Sequence, residues 1–355
     1  MKHARRTLAA LLAALLLAAL LALPVSAQTP AEAKDLALGY IARNLPAPAF
    51  GEEWFVLAQA RGGVVNPQYY RDYYSRVESY VRGRGSAKLS STRSTENARV
   101  ILALSAIGKG AASVGGYDLT APFTEMAWVT SQGVNGPVHA LLALDSGGYG
   151  TAELRGTLLA YILDHEMASG GWSFSGFAAD PDMTSMALQA LAAYRDDADV
   201  ADAIGRALPA LSAMQNANGG FSYEDEGANA ESIAQVIIAL TALGIDPQTD
   251  ARFVKAGGNP VSALLGYQLA NGGFKHKPAD TTADGMATDQ AARALVAYDR
   301  FAKGLSGLYD TIGAEDLTVG GSAAQPKWWE SPPLPAWLHL LLRWLLFGWI
   351  WMGFA

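Results

Sequence analysis

Carboxyl, hydroxyl and imidazole groups recur where this sequence starts its most apolar helical segments: Glu53, Glu96, His139, Asp182, Thr184, Glu231, Ser232 and Asp289. Asp180-Pro181-Asp182-Met183-Thr184 is the densest of these places, with two acids one residue apart and a hydroxyl behind them. A carboxyl can pass a proton to a substrate when burial and a neighbouring negative charge keep it protonated until it acts. The same residues also suit a plainer task. An Asp or Thr ahead of an apolar helix accepts hydrogen bonds from amides that have no partner within the helix. Glu231 has the same phase as Asp182, twelve residues after the first glycine of its turn, so a repeated helix start competes with a unique acid. Aromatic residues crowd the same turns: Trp172, Phe174, Phe177, Phe221, Tyr223 and Phe274. Their faces can stack on a flat or apolar ligand, or they can fill the core. His139, His165 and His276 lack metal-ligand spacing and the chain has no cysteine, so no metal site is expected.

These groups are placed by a repeat. Glu166-x3-Gly170-x-Trp172, Gln215-x3-Gly219-x-Phe221 and Gln268-x3-Gly272-x-Phe274 follow one another at about fifty residues, each between two helical patterns. Apolar spacing and Gly/Pro breaks predict twelve helices, near 31–45, 51–61, 67–82, 93–107, 120–131, 136–145, 151–166, 182–195, 197–216, 230–243, 259–270 and 283–303. No segment has the alternation of a strand. Even-numbered members are small and apolar all round, as Ala98–Gly108 and Ala234–Gly244 show at an offset of 136. Odd members such as 67–82 are more amphipathic. Six outer–inner alternations predict an all-α fold, an α6/α6 toroid or double ring of six helical hairpins over residues 28–303.

The two ends read differently. Lys2, Arg5 and Arg6, an apolar run from Leu8 to Leu23 and the small residues Val25-Ser26-Ala27 predict a signal peptide over 1–27, against a first transmembrane helix as the competing reading. Residues 304–335 carry Gly320-Gly321 and Ser331-Pro332-Pro333-Leu334-Pro335, the composition of a linker. Residues 336–355 form a hydrophobic segment with Trp337, Trp344, Trp349 and Trp351. From Trp337 it reaches about 28 Å as a helix, enough for a membrane anchor, whether it spans the bilayer, lies among headgroups or packs on the folded body. An exported protein at the cell surface follows. Net charge is −7, and −10 without Lys2, Arg5 and Arg6, which disfavours nucleic acid as a partner.

The Glu/Gln-x3-Gly-x-Trp/Phe turns resemble the QW repeat of squalene and oxidosqualene cyclases, and the six-pair layout is similar to the α/α toroid shared with protein prenyltransferase β subunits. The likeness covers about 270 residues. It implies that Glu166, Gln215, Gln268, Trp172, Phe221 and Phe274 brace helix ends. Asp180–Thr184 resembles the Asp-x-Asp-Asp-Thr motif of class II terpenoid cyclases. That resemblance implies Asp182 as the general acid, Asp180 as its charged neighbour and aromatic faces for carbocations. Met183 stands where the motif has its last acid. The zinc set of the prenyltransferases, which includes a Cys, is missing. Asn135–Asp145, Asp182–Leu191 and Ser232–Pro247 look like exported bacterial toroid modules related to the α domain of transcobalamin, which implies a corrinoid as one ligand to consider, although no β domain follows to sandwich it.

The sequence therefore predicts an exported, membrane-tethered toroid that binds an apolar or amphipathic small ligand, isoprenoid or corrinoid, or a partner. Its ligand-facing residues would be Trp172, Phe174, Phe177, Thr184, Phe221, Tyr223, Glu231, Phe274 and His139. The alternative is a class II cyclase with Asp182 as acid and Asp180 beside it.

Overall fold

A computed structural model describes residues 28–222 and 227–320. The expected leader at 1–27, Tyr223, the remainder of the linker and the hydrophobic segment at 336–355 lie outside the described residues. Twelve α-helices are present among the described residues: α1 (Pro30–Asn44), α2 (Glu53–Arg61), α3 (Pro67–Arg84), α4 (Ser94–Ala106), α5 (Met126–Val129), α6 (Asn135–Ser146), α7 (Ala152–Asp164), α8 (Pro181–Leu191), α9 (Ala198–Ala213), α10 (Ala230–Ala242), α11 (Pro260–Leu265) and α12 (Gly285–Ala302). Among those residues extended pairing is limited to isolated bridges. None of the described helices is long and apolar enough to cross a membrane.

Two expected helices are corrected. The stretch 120–131 is a 3-10 turn at Ala121–Thr124, the single turn α5 and a second 3-10 turn at Thr130–Gln132, because Glu125 leaves helical geometry at ψ 80°. The stretch 259–270 is helical only over Pro260–Leu265. Gly266 ends it, and Gln268 already pairs with Phe274 across the following turn.

The alternation read from composition sorts the helices by burial. Every residue of α10 from Ala230 to Leu240 is buried, whereas α7 buries only Leu158 and Ile162. The amphipathic α3 buries one stripe, Tyr69, Tyr70, Tyr73, Val77 and Val81, at the spacing of a single helix face. Even-numbered helices pack in sequence: α2 on α4, α4 on α6, α6 on α8, α8 on α10, α10 on α12 and α12 back on α2. Odd-numbered helices lie outside them, α7 against α6, α9 against α8, and α11 against both α10 and α1.

Three turns with the same construction join outer to inner helices. At each, the inner helix is capped by a side chain that accepts from the third residue onward: Asp180 from Met183, Asn229 from Ser232 and Asp284 from Ala287. Each cap's own amide donates to the aromatic residue's carbonyl, at Trp172 (2.9 Å), Phe221 (3.3 Å) and Phe274 (2.8 Å). The Gln or Glu then ties the turn to the next outer unit. Gln215 donates to Gly219 and Phe253 carbonyls, Gln268 to those of Gly272 and Ala33, and Glu166 makes a two-pronged pair with Arg206. The third turn reaches α1, so the last repeat closes on the first helix. Gly272 is required there: its φ is 95°, and a Cβ would lie 2.3 Å from the Leu36 carbonyl oxygen of α1.

The stretch taken as a linker is corrected over 304–320, which folds back across the ends of the inner helices. Thr311 Oγ1 donates to Ser146 O (2.6 Å), Leu317 N to Ile107 O (3.0 Å), and Arg61 to the carbonyls of Gly307 and Asp310 (2.6 and 2.8 Å). Leu308 and Thr311 are buried. We call this segment the strap. Its glycines and polar residues read as slack, but carbonyls at helix ends need partners and the strap supplies some of them.

Gly272→Ala is expected to destabilise the protein by roughly 3–5 kcal/mol, since positive φ and a backbone clash add. Gly244→Ala, at φ 76° with no atom within 4 Å of its Cβ, should cost only about 1–2 kcal/mol. Urea unfolding of both variants checks the contrast, and equal losses would refute the closing role given to Gly272.

Candidate functional site

Side chains from the inner helices meet in two adjacent cavities. The inner one, about 240 Å³, is reached by Trp54 of α2, His139 of α6, Asp182 of α8 and Arg293 of α12, with Phe174 from the preceding turn. The outer one, about 640 Å³, lies toward the C-terminal ends of α6, α8 and α10 and is walled on one side by the strap. Leu142, Gln189 and Tyr309 border both, so they form the partition.

Beside the inner cavity lie two ion pairs, one between α2 and α4 and one within α12. Glu53 is wholly buried, with Oε2 2.7 Å from Arg99 Nε of α4 and Oε1 accepting from Gly51 N. The Arg99 N–H is not aimed at that oxygen, so charge rather than an aligned bond holds the pair, while Arg99 Nη2 donates to Glu96 at 2.6 Å. Asp289 takes two bonds from Arg293, one turn on in α12, at 2.9 and 3.1 Å. The Arg293 guanidinium then lies 4.3 Å from the Trp54 ring centroid and donates to Tyr309 OH at 3.1 Å. Burial raises the carboxyls of Glu53 and Asp289 above their ordinary range, with the neighbouring guanidiniums opposing it.

Three amides continue the wall. Gln189 Nε2 donates to Gln235 Oε1 (2.9 Å), and Gln235 Nε2 to Gln290 Oε1 (2.7 Å). Burial lowers the pKa of His139, favouring the neutral ring. Its Nδ1 sits 3.0 Å from the Asn135 carbonyl, which can only accept, so Nε2 is left as the acceptor.

The outer cavity is different in kind. Ala190, Ile238, Ala242 and Leu308 make apolar walls, and Arg195, Asp196 and Asp310 give a polar rim. Asp145 accepts from Arg155 Nε (2.7 Å) and from Tyr194 OH (2.8 and 2.9 Å). Burial, then the Asp145 carboxylate, raises the Tyr194 hydroxyl pKa.

The residues chosen from sequence are dispersed by the fold. Asp182, Phe174 and His139 do line the inner cavity. Asp180 is the cap of α8, with Oδ1 accepting from Met183 N and Oδ2 from Phe174 N, so the capping role considered for Asp182 belongs to Asp180. Trp172, Phe221 and Phe274 are fully buried and border neither cavity; Trp172 Nε1 donates to Ile162 O at 2.7 Å. The three rings are thus part of the packed interior. Thr184 is likewise a lock: its hydroxyl bonds both the amide and the carbonyl of Trp172, as Thr288 does for Phe274. Phe177 is 92% exposed and outside both cavities. Glu231 also stays outside them, its carboxylate 2.9 Å from His276 Nδ1.

Trp54, Gln189, Gln235, Gln290, Arg293 and Tyr309 escaped the sequence reading. A glutamine inside an otherwise apolar helix, as in Ala187–Leu191 or Ile233–Leu240, is a signal for the amides. Nothing in the sequence marked Tyr309, whose surroundings look like linker. Among the described residues no group of three His, Asp or Glu is arranged to hold a metal. Comparison with known protein families and with curated proteins finds no match to this chain.

Arg293→Met alone should destabilise the protein by about 3–5 kcal/mol by leaving Asp289 buried without its partner, and adding Asp289→Leu should recover most of that loss. Chemical denaturation of the single and double variants measures both. For Glu231, burial lifts the folded pKa above 4.5, so the folded state binds the proton more tightly than the unfolded chain. Its contribution to stability is then complete below pH 4.5 and is lost as pH rises through the folded value. Glu231→Gln should flatten that decline between pH 4.5 and 7, read by urea unfolding across this range; an unchanged slope would contradict the assignment.

Proposed function

We propose that this protein is an exported, membrane-tethered α6/α6 toroid with prenyltransferase and squalene-cyclase type repeats that binds an apolar or amphipathic small molecule rather than transforming it. The outer cavity carries this reading: about 640 Å³, apolar walls and a few convergent polar groups at the rim, which is the composition of small-molecule sites. The closed order of packing among the even-numbered helices and the three matching turns support the toroid and the superfamily resemblance. The basic and apolar composition of residues 1–27 supports export, and the apolar run at 336–355 supports a membrane anchor.

Between the ligands implied by resemblance, the apolar walls below a polar rim favour a single-chain isoprenoid or alkyl amphipath. A corrinoid needs a broad flat platform, and the inner cavity, about 240 Å³, falls below the roughly 300–1,000 Å³ typical of ligand pockets.

A second reading keeps a class II cyclase. In its favour, Asp182 borders the inner cavity together with the rings of Trp54, Phe174 and Tyr309. Against it, both oxygens of Asp180 are engaged by backbone amides, and the buried Met183 occupies the third acid position.

Full-length protein extracted into native polymer nanodiscs and analysed by native mass spectrometry should retain one isoprenoid or alkyl amphipath. Ala193→Trp, at an exposed wall position, should lose it, while Asp182→Asn should retain it unchanged. Wild-type protein that retains no small molecule, or equal retention by Ala193→Trp, would sink the binding reading. A cyclised compound made by wild type and lost in Asp182→Asn would install the cyclase.

A further inference from the structure

The two cavities touch only through a partition of three residues, Leu142 and Gln189 from inner helices and Tyr309 from the strap. The first two sit within helices whose backbones are fixed by their neighbours. Tyr309 arrives from outside the helical circuit, on a segment held largely by bonds from its flanks: Arg61 to Gly307 O and Asp310 O, Arg300 to Ser306 and Thr311 to Ser146 O. Its hydroxyl takes one bond from Arg293, whose Nε and Nη2 also donate to Asp289. The phenol ring is thereby pinned between an apolar space and a polar one.

The outer cavity has a direction. Along α6, and along α8 and the 3-10 turn Ala192–Tyr194 that follows it, the wall runs from Leu142 and Gln189, at the partition, past Ala190 and Ala193, to Asp145, Arg195 and Asp196 at the rim. Polar groups are at the mouth, apolar groups are below them, and the amides of Gln235 and Gln290 lie beyond the floor, linked to that of Gln189 within it. An amphipath in such a funnel lies with its chain inward and its head at the rim, since the reverse would bury the head and wet the chain.

We propose that Tyr309 is the floor of this site and determines ligand choice: it sets how long an unbranched apolar chain the outer cavity accepts, so that a strap segment outside the repeats determines specificity. The proposal rests on the binding reading above and adds to it the direction of entry, chain first, and the residue that limits chain length. Tyr309→Ala removes the floor while leaving Leu142 and Gln189 in place, and joins the two cavities. Tyr309→Phe keeps the floor and loses only the bond from Arg293.

The test is a calorimetric titration of full-length protein in amphipol with n-alkyl glucosides from hexyl to tetradecyl, so that partition into the scaffold is common to every variant. For wild type, affinity should rise about fourfold per methylene, the fold-change of burying one CH₂, until the chain meets Tyr309, and then level off. In Tyr309→Ala the plateau should move to chains at least two carbons longer, and Tyr309→Phe should keep the wild-type plateau. Circular dichroism melting of each variant confirms that the helices are formed. Failure of wild type to bind any glucoside would defeat the binding reading itself. Binding with the same plateau in wild type and in folded Tyr309→Ala would overturn the role of Tyr309 alone, as would a plateau that shifts equally in Tyr309→Phe.

Discussion

Closure is the constraint on which the described structure depends, because the last inner helix has to meet the first and a chain of hairpins does not do so unaided. Two sets of contacts accomplish it. Within the circuit, Arg293 of α12 lies over Trp54 of α2, while Glu53 of α2 is paired with Arg99 of α4. Outside it, Gln268 and Gly272 of the third turn lie against Ala33 and Leu36 of α1. Burying the charged groups Glu53, Asp289 and Arg293 is costly, and such pairs seldom add net stability over apolar replacements. What they add here is register, since a guanidinium placed one residue out of phase would leave a carboxylate without its partner.

Closure also creates the cavities. Inner helices rich in alanine let their backbones approach closely, and when six of them pack in a circuit the larger residues cannot all be accommodated at the centre. The centre is therefore lined by groups that hydrogen-bond each other across helices, the Gln189–Gln235–Gln290 amides and the Asp289–Arg293–Tyr309 chain. Polar groups in a dry interior are tolerated only when nearly all are satisfied.

The strap changes how the C-terminal part of the body is understood. It covers helix ends, contributes Leu308 and Tyr309 to the partition and wall of the outer cavity, and passes Gly320 beside Pro67 and Arg71 of α3. A segment whose composition is that of a tether thus takes part in the candidate site. Its glycine content suits a path that must follow the uneven surface formed by helix termini.

From sequence alone, twelve helices, their alternation in burial and the three in-phase turns were legible, because apolar period, capping residues and paired glycines act locally and leave local marks. Asp182, His139 and Phe174 were legible as neighbours of an interior for the same reason: the first two stand in the first turns of inner helices and Phe174 in the turn that leads into α8. The roles of Trp172, Phe221, Phe274 and Thr184 were not, since a turn aromatic that faces a cavity and one that plugs a core have the same sequence signature. Only the tertiary structure could choose. It likewise assigned the cap to Asp180 rather than Asp182, paired Glu231 with His276 across 45 residues, and brought Tyr309 against Arg293 and Trp54. Such contacts join residues distant in the chain through packing and charge, and no short-range pattern encodes them.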